Sequence, residues 1–181
     1  MKTPAAMVSC FFALAAHSAY ASSPSNYVGQ ETREIKALSP DDVQAYLAGK
    51  GLGLAKAAEL NGYPGPSHVL SMAAELDLTA EQKRRTAALF EAMESEAVAL
   101  GRALVGEEQK LDQQFAAKTV STESLAQSLK SIGELQTALR KVHLNAHLAQ
   151  IRILTPEQIS KYIALRGYSG ASSAAHEGHI H

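Results

Sequence analysis

Seven histidines stand out in a chain of 181 residues with one cysteine and no tryptophan. His143 and His147 lie four residues apart in a segment patterned as helix, so both rings project from one face about one turn apart. Neutral imidazoles at that spacing hold borderline ions such as zinc, copper or nickel. Two ligands make half a site, which a second copy of the chain would complete. The structural alternative is a pair of histidines flanking an apolar stripe and satisfied by water or a carboxylate. His68, Met72 and Glu75 fall at i, i+4 and i+7 and offer nitrogen, sulfur and oxygen donors along one helical face. The plainer alternative there is a core methionine between an exposed histidine and an exposed glutamate. His176, His179 and His181 close a small-residue tail and form a flexible, weak multidentate donor set.

No catalytic constellation accompanies these donors. The sequence has no Gly-x-Ser-x-Gly elbow and no glycine-rich phosphate cradle followed by Lys-Ser or Lys-Thr. His176-Glu177-Gly178-His179 misses the His-Glu-x-x-His zinc-protease spacing by one residue and sits in a coil-forming tail. The expectation is a non-enzyme with no required cofactor, a zinc, copper or nickel ion being the candidate ligand. A formal charge of −1 and 6% aromatic residues supply neither the basic face nor the stacking platforms of a nucleic-acid binder. The longest apolar stretch, Ala5 to Ala16, is well short of the about 20 residues needed to span a bilayer.

That stretch follows Lys2 and precedes Ala19-Tyr20-Ala21, the arrangement of a secretory signal peptide cleaved after Ala21. Residues 1–21 are therefore expected to be removed, taking Lys2 and the single cysteine, Cys10, with them. A chain exported without thiols forms no disulfide and offers no thiolate nucleophile. Its expected home is the periplasm.

The elements that must position the donors are all helical. Residues 22–38 are polar without sustained period and are expected as a flexible lead-in. Over 39–66 short helices and a Gly/Pro turn are predicted. Ser39-Pro40-Asp41-Asp42 starts one helix to about Ala48, Leu54 to Leu60 forms a turn or two, and Asn61-Gly62-Tyr63-Pro64-Gly65-Pro66 is a rigid turn. A helix over 67–76 should follow. Thr79-Ala80-Glu81-Gln82 is a capping box opening a long helix to about Lys118, with Phe90, Met93, Ala97, Leu100, Leu104, Leu111 and Phe115 as its apolar seam. Ser121 caps a second long helix, with Val120 and Leu125 as hydrophobic staple. Its seam runs through Leu125, Ile132, Leu135, Leu139, Val142, Ala146, Ala149 and Ile153. Thr155-Pro156-Glu157-Gln158 repeats the capping logic and opens a last helix to about Arg166, and residues 167–181 are expected as a disordered tail. The short link between the long helices forces an antiparallel hairpin.

A two-helix hairpin is too thin to bury much apolar area alone. Leu144, Leu148 and Ile151 form a second apolar stripe on the later helix, so a second partner is needed beside the sister helix. The flanking short helices or a second subunit would serve, and a homodimer is the expectation.

The segments Leu78-Thr79-Ala80-Glu81-Gln82 and Leu154-Thr155-Pro156-Glu157-Gln158 bracket this hairpin, and the pair resembles the twin LTxxQ motifs of the Spy/CpxP family. The resemblance covers about residues 67–166, with Thr79, Gln82, Thr155 and Gln158 as the motif caps. It implies a periplasmic, non-enzymatic stress protein: a cradle-shaped helical dimer that holds unfolded client proteins without ATP, or responds to envelope and metal stress, with an inner-membrane sensor or regulator as a further partner. Residues 27–66 are additional to the pattern of the chaperone members, and the charge is slightly acidic rather than basic. The histidines are similar to features of the family's heavy-metal-sensing relatives. Two functions follow as expectations. One is a holdase whose client contacts, or dimer core, include Leu144, Leu148 and Ile151. The other is a metal-binding or metal-sensing protein using His143, His147 and the tail.

Overall fold

The computed structural model describes residues 25–168, and among these every regular element is a helix. Residues 25–31 belong to a separate unit of turns, held internally by bonds such as the Gln30 amide on the Tyr27 carbonyl. From Thr32 on the chain forms one compact unit. Its elements are α1 (Pro40–Leu47), α2 (Lys56–Glu59), α3 (Pro66–Ser71), α4 (Ala80–Ala116), α5 (Thr122–Gln150) and α6 (Pro156–Leu165). The expected signal peptide, residues 1–21, and the tail histidines His176, His179 and His181 lie outside the described residues.

Four of the starts are local chemistry. Ser39, Thr79, Ser121 and Thr155 each take the amide proton of the residue three positions on, while the side chain at that position accepts from the cap's own N–H. Each box satisfies two backbone groups at once, one being a donor the helix cannot use. The turn between α4 and α5 is set just as locally. The Thr119 amide donates to Gln114 and the Lys118 amide to Phe115, with Lys118 at φ +57°. This is a Schellman cap with lysine where glycine is usual.

α4 and α5 then pack antiparallel around Ala97, Leu104, Ile132, Leu139 and Val142. The Gln150 side-chain amide donates to the Thr86 hydroxyl and fixes the register. Counting from that bond, Phe115 is level with Ser121, before α5 begins. Phe115, expected in the seam, is instead 54% exposed, because α4 reaches two residues past the level at which α5 starts and has no helical partner there.

The extension before the hairpin covers one side of it. α1 crosses α4 so closely that a Cβ at Gly101 would stand 2.1 Å from the Tyr46 carbonyl oxygen. α3 contacts both long helices and α2 contacts α5. The lead-in departs from expectation over residues 32–38. Ile35 is buried, and Lys36 gives both its backbone N–H and its ammonium to Asp112 on α4, the latter at 2.8 Å. One well-placed isoleucine and one ion pair suffice to hold a segment whose composition reads as coil.

The helix expected over 67–76 is cut short, ending at Ser71. A run of turns continues to Asp77, whose φ of +50° lets the Leu78 amide reach the Ala73 carbonyl. This reversal buries Leu76 and Leu78 with Val69, Leu154 and Tyr162 in a second core. The helix itself breaks at Met72, whose φ of −110° and ψ of 26° lie outside helical values.

Candidate functional site

At the base of the hairpin the two motif glutamines meet. Gln82 Oε1 accepts from the Thr79 amide and Gln158 Oε1 from the Thr155 amide, each at 3.0 Å. Their amide groups face one another, Gln82 Nε2 donating to Gln158 Oε1 at 2.7 Å and Gln158 Nε2 to Gln82 Oε1 at 3.1 Å. The remaining protons go to backbone carbonyls, Gln82 to Ile153 and Gln158 to Leu76. Each glutamine thereby joins its own helix start to the chain that leads into the other. Thr and Gln as caps were legible in the sequence. Their meeting was not, because a capping box is complete within four residues and needs no distant partner.

A cavity of about 450 Å³ opens between the extension and the hairpin, lined among others by Glu59, His68, Met93, His143 and His147. The structure thus brings the helical pair His143 and His147 to one chamber with His68. It does not align His68 with Met72 and Glu75, since α3 stops at Ser71 and Met72 packs against the core of Val69 and Tyr162.

His147 Nδ1 lies 2.6 Å from the Tyr63 carbonyl oxygen. A carbonyl only accepts, so Nδ1 carries the proton, and in the neutral ring the lone pair sits on Nε2. Gly65 is required here, because a Cβ on it would come within 2.9 Å of the His147 ring. His143 is 95% buried by the glycine-rich segment, and its Nε2 has no hydrogen-bond partner. Burial, with His147 nearby, pushes the His143 pKa down and favours the neutral ring. Burial and the Arg166 guanidinium do the same to His68.

Glu59 anchors the far wall, a role with no sequence signal beyond a carboxylate in a short helix. Its Oε1 accepts from the Tyr162 and Tyr168 hydroxyls at 2.6 and 3.1 Å and from Arg166 Nε at 3.1 Å. Burial, then the carboxylate it bonds, raises the Tyr162 pKa. Glu59 Oε2 is buried without a hydrogen-bond partner and sits 3.9 Å from His147 Nδ1. Among the described residues no group of three or more His, Cys, Asp or Glu is arranged to hold a metal ion.

The remaining candidates lie on the far side of α5. At about 100° per residue Leu148 points opposite to the seam residue Leu139. It is 48% exposed, with Leu144 and Ile151 half-buried beside it. Leu129, earlier on the same helix, is 53% exposed.

A family model described as LTXXQ motif family protein matches residues 66–166. No curated protein and no solved structure matches the chain.

Proposed function

We propose, from the premise that this chain belongs to the LTXXQ motif family, that it is a non-enzymatic periplasmic stress protein holding unfolded proteins without ATP. Membership fits a periplasmic, stress-related role, and no helix among the described residues is long and apolar enough to cross a membrane. The observation that carries the holding function is the apolar stripe of Leu144, Leu148 and Ile151 on the outer side of α5. The extension already covers another side of the hairpin, so this stripe is left over after intramolecular packing. Apolar side chains on a rigid helical face bind exposed apolar segments of many sequences weakly, and a client that folds removes those segments from reach.

The test is light scattering of a reduced or heat-unfolded client with equimolar protein, without ATP and with metals chelated. The expected result is suppressed aggregation, lost when Leu144, Leu148 and Ile151 are all changed to serine. Equal suppression by the serine variant, or none by the native protein, overturns the proposal.

Metal binding is the second function, favoured by the convergence of His143, His147 and His68 on one cavity. A site there draws on donors beyond carboxylates and imidazoles, since no trio of those is assembled. Calorimetric titration of zinc, copper and nickel into the full chain checks it. Binding should weaken in His143→Ala and His147→Ala.

A further inference from the structure

We propose that residues 50–53 form a strap that lifts off the hairpin and opens the cavity beneath it, the closed form being held against strain built into its own turn. The inference goes beyond the holding and metal-binding functions above and depends on neither. The strap hangs between two seated residues. Gly49 ends α1, its amide donating to Tyr46 and the Lys50 amide to Ala45, and it lies so close to α4 that a Cβ there would stand 3.0 Å from Val98 Cγ2. Leu54 packs against the hairpin core of Ala97 and Leu104. Between them the Leu54 amide donates to the Gly51 carbonyl at 2.6 Å, and the two central residues of that turn, Leu52 and Gly53, stand at φ +44° and +78°. Two positive values are those of a type I′ turn, in which asparagine or glycine is usual at the first central position. Leucine carries a Cβ into the left-handed region there, and its side chain is 45% exposed, so packing offsets only part of the cost.

The strap also closes over a polar atom that it does not satisfy. A Cβ on Gly51 would lie 3.5 Å from the His143 ring, and His143 Nε2 is buried with no hydrogen-bond partner. Lifting the strap gives that nitrogen to water and releases Leu52 from its left-handed conformation, so two costs of the closed form are relieved in one motion. The opposing contributions are the turn bond and the contact of Gly51 with the ring. Leu54 stays seated, and the long helices need not move. Phe90 and Met93 of α4 line the cavity below. How far those side chains are open to solvent, and with it part of the apolar surface this protein offers, is then set by one short turn.

The turn offers two substitutions of opposite sign. Leu52→Asn suits the left-handed conformation and should hold the strap down. Gly53→Ala, at φ +78° with nothing within 4 Å of the added Cβ, brings strain without a clash and should lift it. The reporter is the full chain carrying Cys10→Ser and His143→Cys, whose single thiol lies beneath Gly51, reacted with an excess of an aromatic disulfide. The expected result is labelling that proceeds while the amides of α5 stay protected from exchange, about fivefold slower with Leu52→Asn and about fivefold faster with Gly53→Ala. Labelling that waits for global unfolding, or that neither turn substitution moves, overturns the strap. Where His143→Cys fails to fold, the Leu54 amide carries the test in the chain that keeps His143. Its exchange should shift in the same two directions, and equal exchange in all three proteins overturns the proposal.

Discussion

Gln82 and Gln158 each do two jobs with one amide, closing a helix start and pairing across the base of the hairpin. Removing either side chain leaves the threonine cap in place but takes the acceptor from the cap's own N–H and leaves unpaired polar groups at a half-buried position. Gln82→Ala and Gln158→Ala should each lower stability by about 2 kcal/mol. The double variant should cost less than the two together, because the amide pair is lost only once. Urea unfolding of the four proteins gives the coupling directly, and strict additivity would mean that the pair contributes nothing beyond capping. Thr and Gln were readable as caps because that chemistry spans four residues. The Glu59 hub and the orphaned Glu59 and His143 atoms were not, since each depends on which distant segments fold over it.

The helices themselves follow from sequence where their ends are local and depart from it where packing decides. α3 stops at Ser71 because the backbone leaves helical values at Met72, whose side chain packs on the Val69 and Tyr162 core, and Phe115 is exposed because α5 begins too late to meet it. Lys118 holds a left-handed conformation that costs a residue with a Cβ about 1 kcal/mol. Lys118→Gly should therefore raise the thermal midpoint, as read by circular dichroism. Gly101 allows α1 to rest on α4, and Gly101→Ala should push α1 off its seat. The expected cost is about 1–3 kcal/mol, with faster amide exchange confined to residues 40–47.

The lead-in gives a pH-dependent element. The hydrogen bond from the Lys36 side chain holds the Asp112 carboxyl below its ordinary value of 3.8. The unfolded chain then binds more protons than the folded one below that value, so this contribution is whole above it and is lost as pH falls through and beneath it. Amide protection at residues 35–38, taken relative to the unstructured exchange rate at each pH, should fall on acidification below about pH 4. At neutral pH Asp112→Ala should open the same segment to trypsin after Arg33 and Lys36.

For the whole molecule, the extension and the hairpin compete for the same need, apolar cover. α1, α2 and α3 meet part of it within one chain, which leaves less surface for a second copy than a bare hairpin would. Leu129 and Leu148 still stand about half exposed on α5. If that surface joins two copies, Leu148→Glu should shift sedimentation from dimer to monomer at micromolar concentration. If it contacts clients instead, the variant should sediment unchanged and lose aggregation suppression.

The sequence by itself determined the all-helical class, the long hairpin, the four capping residues and the family resemblance, because capping and helical periodicity are complete within one or two turns of chain. Tertiary structure decided the rest. The Gln82–Gln158 pair, the anchored lead-in, the early end of α3 and the chamber joining His68 to His143 and His147 all arise from segments far apart in sequence. Only packing in three dimensions, driven by apolar surface that no single helix could bury, brings those segments together.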